Sequence, residues 1–534
     1  MNWTSFRLIS LIILSFCLLN SAKAQTKWLP DPGIDIQHYS FSLEFFDEAD
    51  ALFGKAQIFL EREPTIGTLK LDLIKKTNGT TGMQLKAVTY LSSPLTYTYE
   101  NDVIKVDLPE NFDSANPIEI EYEGVPADGM IISKNKHGDR TFFGDNWPNR
   151  ARNWLPVVDH PSDKATVAFK VIVPEKYQVV GTGRLKEESD LDKNRRFYHW
   201  ESEAQIATKV MVIGIAEFAV QYLSTQEGIP LSSWVYPQDR EAGFFDYALA
   251  EEVLDFMIEN VGPYPFEKLA NVQSKTRFGG MENASNIFYM EASVDGKRSS
   301  EGLIAHEVAH QWFGNSASES DWQHIWLSEG FATYFTALFL ENKYGFEALQ
   351  KSMNENRETV LSQAPPSGVV PKQADNLMAL LNANSYQKGG WVLHMLREEV
   401  GDAIFWRIIR SYYKTYAGSN ASSSDFQEIA EKISGQDLDN FFKQWLYRAY
   451  NPALSWTWSY DDAKKELLLS CTQEQTGDVF NLDIEFEVKT GDKASRHSFP
   501  LTEKMHSFRI PMKKAPDSVE IDPDSRVLAS FSKK

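Results

Sequence analysis

The spacing of apolar residues divides the chain into stretches with different periods. Up to about residue 228, apolar residues alternate with polar ones or form short runs rich in β-branched and aromatic side chains, the pattern of strands. Turn sequences such as Asp31-Pro32-Gly33 and His137-Gly138-Asp139 separate these runs. The pattern predicts an all-β domain over residues 25–229, with strands at residues 38–46, 55–61, 69–74, 167–173 and 210–222.

From about residue 230 the apolar spacing becomes helical, and after residue 451 it returns to that of strands. Ser424 to Gln427 has the form of a capping box and predicts the start of one helix. We therefore expect a mainly helical domain over residues 230–450 and a small C-terminal β-sandwich over residues 451–534, which makes a multidomain α+β protein. The clearest predicted elements are helices at 242–260, 327–344 and 386–400, and strands at 454–460, 466–472, 480–488, 507–511 and 519–521.

The first 24 residues have the features of a secretory signal peptide. Arg7 precedes an apolar run over residues 8–19, which ends in the small-x-small sequence Ala22-Lys23-Ala24. This run is short for a membrane span, although an N-terminal anchor is the alternative interpretation. We expect export, a mature chain that starts at Gln25, and no transmembrane segment in that mature chain.

The composition of the chain indicates where the protein is located and which classes of partner it can bind. Of two cysteines, Cys17 lies in the predicted signal, so Cys471 alone remains and no internal disulfide is expected. The expected lack of disulfides in an exported protein favours the periplasm, or secretion from a bacterium, over an animal extracellular space. The net charge of −20 disfavours nucleic acid as a partner. A solvated acidic surface explains this charge as well as a cationic peptide substrate does.

The residues with the clearest catalytic pattern form one short run, His306-Glu307-Val308-Ala309-His310, and Glu329 follows nineteen residues after it. Histidines four residues apart lie on one face of a helix, where both can bind one zinc ion. Glu307 can act as general base on an attacking water, and Glu329 can supply a third ligand from a second helix. A solvated surface helix is the alternative, but apolar neighbours argue against it: Ala305, Val308, Ala309, Trp312 and Phe313.

Four motifs in order resemble one family, the zinc aminopeptidases that include aminopeptidase N and leukotriene hydrolase. The first is Gly279-Gly280-Met281-Glu282-Asn283, and the second is the histidine run with Gln311-Trp312-Phe313-Gly314-Asn315 behind it. The third surrounds Glu329, and the fourth is Tyr386-Gln387-Lys388-Gly389. The resemblance implies a thermolysin-like catalytic domain and one zinc ion per chain, bound by His306, His310 and Glu329.

The resemblance also assigns roles around the zinc. Glu282 corresponds to the glutamate that binds the free α-ammonium group of the substrate, and Tyr386 to the tyrosine that stabilises the oxyanion. Gly279, Gly280 and Met281 would lie beside the bound peptide. From the residues alone, packing explains Tyr386 better than a catalytic role does.

One motif departs from the family. A Gln-x-Glu or Gln-x-Gln pair normally precedes an arginine that corresponds here to Arg152, and this chain has Asp145 and Trp147 in its place. Asp145 is the candidate second carboxylate for the substrate amine, with a plain turn residue as the alternative.

The sequence thus predicts a zinc-dependent aminopeptidase that removes N-terminal residues from peptides. The alternatives are a zinc metalloendopeptidase and a family scaffold that has lost catalysis and serves binding. The sequence given stops at Lys534, without the helical C-terminal domain that covers the cleft in larger relatives. We therefore expect a wide cleft that accepts long peptides, and an uncovered face that a homo-oligomer would bury.

Overall fold

The computed structural model describes residues 30–77, 79–224, 228–373 and 376–534. The signal peptide predicted at residues 1–24 lies outside the described residues and stays a prediction. Within the described ranges, every helix is too short or too polar to span a lipid bilayer.

The N-terminal part of the chain consists of strands, as the apolar alternation predicts. In β2, for example, Leu52, Gly54, Ala56, Ile58 and Leu60 are buried, while the alternate residues between them are at least partly exposed. The strands are β1 Ile34–Glu44, β2 Leu52–Arg62, β3 Thr68–Asp72, β4 Gly82–Tyr90, β5 Ser93–Pro94, β6 Tyr97–Glu100, β7 Val103–Asp107, β8 Ile118–Val125, β9 Met130–Lys134, β10 Arg140–Gly144, β11 Lys164–Pro174, β12 Gln178–Gly181, β13 Arg184–Leu191, β14 Arg195–Ala207 and β15 Ile213–Ala216.

These strands form three sheets around one core. An eight-stranded sheet has the order β13-β14-β11-β1-β2-β8-β4-β5, and its β1 and β11 run parallel. A four-stranded sheet, β12-β15-β10-β9, and a three-stranded sheet, β3-β7-β6, complete the domain. The same apolar core also includes Trp234, Phe288 and Trp322 from the following domain, so the two domains pack through continuous apolar contact.

The central part of the chain is mainly helical, with a five-stranded sheet at its start. This sheet has the order β16-β17-β18-β20-β19. Its strands are β16 Ala219–Ser224, β17 Pro230–Val235, β18 Leu269–Ser274, β19 Gly280–Met281 and β20 Asn286–Met290, and two short strands follow, β21 Ser318–Glu319 and β22 Asn420–Ala421. The helices are α1 Arg240–Tyr247, α2 Ala250–Asn260, α3 Glu301–Ala309, α4 Trp326–Tyr344, α5 Phe346–Gln363, α6 Gly389–Val400, α7 Asp402–Tyr416, α8 Ser423–Ser434 and α9 Asp439–Tyr447.

Several local predictions differ from the structure. The helix predicted at 242–260 is two helices, because a tight turn separates α1 from α2, in which the backbone N–H groups of Leu249 and Glu252 donate to carbonyls three residues back. The strand predicted at 210–222 is two strands, β15 and β16. The capping box lies two residues earlier than predicted, between Ser422 and Asp425. The domain boundary predicted at 229/230 stays a prediction, and β16 and β17 on its two sides pair as an antiparallel hairpin.

The C-terminal part forms a two-sheet sandwich with its own core. The sheets have the orders β27-β24-β23-β29 and β26-β25-β28. The sequence pattern misses β26 and β29, whose residues are mostly exposed and therefore lack a clear apolar alternation. The strands are β23 Ala453–Asp461, β24 Glu466–Gln473, β25 Leu482–Thr490, β26 Lys493–Leu501, β27 Met505–Pro511, β28 Ser518–Ile521 and β29 Ser530–Lys533. The structure confirms the predicted fold class, which consists of a β domain, a helical domain and terminal β strands.

Two buried lysines of the N-terminal domain reach into the helical domain. The Nζ of Lys164 donates to the backbone carbonyls of Ser316 and Ser419 at 2.6 and 2.9 Å. The Nζ of Lys209 lies 2.5 Å from a carboxylate oxygen of Glu319, and both side chains are at most 1% exposed. These contacts fix the segment that directly follows the histidine run.

We predict that Lys209→Met strongly destabilises the protein. The substitution removes the only cation that contacts the buried Glu319 carboxylate among the described residues, which costs about 3–5 kcal/mol. Lys186→Met is the matched control, since Lys186 pairs with Glu203 at 3.2 Å on the surface and its loss should cost below about 1 kcal/mol. Urea unfolding followed by circular dichroism measures both, and equal midpoints for the two variants would contradict the prediction.

Candidate active site

Helix α3 and the turn that follows it bring His306 and His310 together. The two Nε2 atoms lie 3.1 Å apart, and the rings meet edge to face. His310 is almost fully buried, whereas the His306 side chain is 18% exposed. Both nitrogens therefore point to one place at the edge of a cavity.

Glu329, in the first turn of α4, completes a triangle of ligand atoms. Its Oε2 lies 3.4 Å from the Nε2 of His306 and 3.2 Å from the Nε2 of His310. A tetrahedral zinc site with bonds of about 2.0–2.1 Å has ligand atoms about 3.3–3.4 Å apart. Since the three separations match that value closely, the residues fit a zinc ion, and a two-histidine, one-glutamate set leaves one position open.

Hydrogen bonds outside the triangle orient His310. Its Nδ1 lies 3.1 Å from the carbonyl oxygen of Phe313 and 3.0 Å from the Ser328 hydroxyl. Because a carbonyl only accepts, Nδ1 carries the hydrogen and Nε2 keeps its lone pair for a metal. Gly314 makes this turn with a φ of 115°, and a side chain there would overlap the Ser328 hydroxyl.

Glu307 lies beside the triangle rather than in it. The residue is 4% exposed, and its carboxylate sits against Gly280, where any Cβ would overlap it. One oxygen each of Glu307 and Glu282 lies within 4.8 Å of a ring nitrogen of His310. Burial raises the pKa of the Glu307 carboxyl well above its ordinary value, although His310 opposes this shift.

Glu282 follows β19 and has a carboxylate oxygen, Oε1, that is buried without a hydrogen-bond partner among the described residues. Its backbone carbonyl accepts two hydrogen bonds of 2.7 Å each, from the side-chain amides of Gln311 and Asn315. Those two residues follow the histidine run, so one segment contains the candidate metal ligand His310 and also holds the backbone of Glu282. The sequence showed Gln311 and Asn315 as part of a motif but gave no role for them.

Tyr386 lies in a π-helical turn, Asn384–Lys388, that leads into α6. Its ring stacks on the His306 ring with centroids 5.9 Å apart and planes 9° apart. Burial, with added effects of the Glu329, Glu282 and Glu307 carboxylates, raises the pKa of the phenol well above its ordinary value. The hydroxyl therefore stays protonated and remains a hydrogen-bond donor.

A cavity of about 250 Å³ joins these groups. Its lining contains each predicted site residue except Asp145, and adds four that the sequence did not indicate, Trp147, Phe278, Leu303 and Leu381. A second cavity of about 360 Å³ continues past Leu303, His306 and Tyr386 between α4 and α5. His306 and Tyr386 therefore border both cavities.

Asp145 is the predicted site residue that the structure does not bring into the cavity. It is 1% exposed, and one of its oxygens binds Arg150 while the other accepts from the backbone N–H of Arg277 at 3.3 Å. Through these bonds, the Asp145 carboxylate connects the end of β10 to the segment before β19. Trp147, two residues later, lines the cavity instead.

Family comparisons agree with this architecture. Residues 245–445 match the model of the peptidase family M1 domain, and residues 36–210 match the model of the peptidase M1 N-terminal domain. Glutamyl aminopeptidase of Rattus norvegicus is 22% identical over 83% of this chain and 50% of its own length. Probable aminopeptidase 2 of Sulfurisphaera tokodaii is 25% identical over 77% of this chain and 53% of its own length. Aminopeptidase M1 of Arabidopsis thaliana is 28% identical over 58% of this chain and 37% of its own length.

The chain thus spans about half or less of the length of these curated relatives. Among solved structures, Legionella pneumophila aminopeptidase A in complex with aspartic acid has the same fold, with a TM-score of 0.81 at 15% identity over 95% of this chain and 60% of that one. Two M1 models together match more than half of the sequence, and the fold is shared across nearly its whole length. The chain therefore belongs to the M1 family of peptidases.

Proposed function

We propose that this protein is a zinc-dependent aminopeptidase that removes single residues from the N-terminus of peptides. His306, His310 and Glu329 would hold one zinc ion. The names of the relatives agree with this activity, and the geometry of the cavity supports it independently.

One observation carries the proposal: Glu282 lines the cavity that contains the ligand triangle, and its carboxylate has a buried oxygen, Oε1, without a hydrogen-bond partner among the described residues. A buried carboxylate without a partner favours a cationic ligand, and the α-ammonium group of a peptide is such a cation. A carboxylate at a fixed place near the ligands allows only one residue between the ammonium group and the reacting carbonyl. An endopeptidase needs an open path at this position, so Glu282 disfavours that alternative.

In the proposed reaction, Glu307 and Tyr386 each have one role. A bound zinc ion supplies Lewis acidity to the scissile carbonyl and lowers the pKa of water. Glu307 takes the proton of the attacking water and delivers it to the leaving nitrogen. The Tyr386 hydroxyl donates a hydrogen bond to the oxygen on which negative charge develops. Since the base and the donor are both present, a scaffold without catalysis is disfavoured.

We also propose that the protein is exported, on the basis of the signal-like sequence at residues 1–24 alone. N-terminal sequencing of the protein from its native source would show a mature chain that starts at Gln25. A mature chain that retains Met1 would contradict this.

We predict that Glu307→Ala keeps the metal and loses turnover. The side chain is not a ligand, so zinc content should stay at one ion per chain while kcat falls by about 10²–10⁴. His310→Ala is the matched contrast, because it removes a ligand and should remove the zinc. Metal analysis by mass spectrometry checks both, and a zinc-free Glu307→Ala protein would show that the separation of roles is wrong.

A second prediction concerns the free amine. The wild-type enzyme should cleave a peptide with a free N-terminus and leave its N-acetylated form intact, because acetylation removes the charge that Glu282 binds. Glu282→Gln should lower kcat/KM for the free peptide by about 10²-fold or more, with zinc content unchanged. Comparable cleavage of the free and the acetylated peptide by the wild type would refute the aminopeptidase assignment.

A third prediction tests Tyr386. Tyr386→Phe removes the hydroxyl and keeps the stacking on His306, so kcat should fall by about 10²–10³ with little change in KM. Steady-state kinetics on one chromogenic aminoacyl substrate measures both constants. A rate near that of the wild type would assign Tyr386 to packing.

A further inference from the structure

Part of the cavity wall is uncharged. Apart from the groups assigned to metal binding, catalysis and amine binding, its lining side chains are apolar: Trp147, Phe278, Met281, Leu303 and Leu381. Trp147 and Met281 are each 2% exposed. The Trp147 ring packs edge to face on Phe278 and on Trp322, which fixes it as a rigid wall.

Two arginines border this wall, and both are already neutralised. Arg150 forms ion pairs with Asp145 and Asp128, and Arg277 forms one with Asp128. Neither arginine belongs to the cavity lining. The charged groups that do face the cavity include three carboxylates, those of Glu282, Glu307 and Glu329.

We propose that Trp147, Phe278, Met281 and Leu381 make the enzyme select an uncharged, apolar side chain at the first residue of the peptide and reject an acidic one. This rests on the proposed function, which places the first residue beside Glu282. An acidic side chain there would lose its hydration without a counter-charge and would face carboxylates. The specificity differs from the one that the name glutamyl aminopeptidase states for the rat relative.

The departure from the family motif explains why the wall is apolar. Where the family resemblance expects a glutamate or glutamine to help hold the amine, this chain has Trp147, so Glu282 alone faces the ammonium group in the lining. Burying a neutral amide costs less than burying a carboxylate, which places glutamine between methionine and glutamate as a first residue.

The test uses the zinc-loaded enzyme and three p-nitroanilides, those of methionine, glutamine and glutamate, whose side chains have similar lengths. We expect kcat/KM to fall from methionine to glutamine to glutamate, with glutamate roughly a hundredfold below methionine. A glutamate value equal to or above that of methionine would overturn the proposal. Failure to cleave any of the three would instead contradict the proposed function, and the specificity with it.

A charge-insertion variant tests the wall itself. Leu381 is only partly buried, so Leu381→Arg is compatible with the fold, and it should raise the glutamate-to-methionine ratio of kcat/KM by about tenfold or more. Leu361→Arg is the matched control, since Leu361 is 42% exposed on α5 and outside both cavities, and its ratio should equal that of the wild type. An unchanged ratio in a folded, zinc-containing Leu381→Arg enzyme would overturn the role of the wall.

Discussion

The structure depends above all on the need to neutralise a carboxylate that is buried beside two imidazoles. His310 and Glu329 are almost completely buried, and the three ligand atoms lie 3.1–3.4 Å apart. Groups this polar are costly to bury unless a cation binds them. The two helices must therefore pack at one separation and one rotation, and the remaining site residues are placed relative to this triangle.

The segment that follows His310 links the position of the ligand triangle to the position of Glu282. Gln311 and Asn315 follow directly after His310, and both hold the backbone carbonyl of Glu282. Lys164 from the N-terminal domain binds the carbonyl of Ser316 in the same segment. A displacement of this segment would consequently change the distance between the ligand triangle and the Glu282 carboxylate, on which the proposed removal of single residues depends.

Sequence patterns predicted the elements that have a clear period and the residues that belong to contiguous motifs. The ligand triangle, Glu307, Glu282 and Tyr386 all fall within such motifs, and the structure brings them to one cavity. Asp145 was placed by motif alignment alone, and the pattern could not show that Arg150 and the Arg277 backbone use its oxygens. Trp147, Phe278 and Leu381 come from three distant parts of the chain and meet only after folding. The exposed strands β26 and β29 carry little apolar alternation, so local sequence could not indicate them.

The central claim is that Glu282 and the ligand triangle together measure one residue from the peptide N-terminus. The most direct test is a mass-spectrometric time course of a decapeptide with apolar residues throughout, incubated with the zinc-loaded enzyme. The account predicts a ladder of products in which each is shorter than the previous one by a single N-terminal residue. Early appearance of internal fragments, or release of dipeptides from the N-terminus, would contradict it.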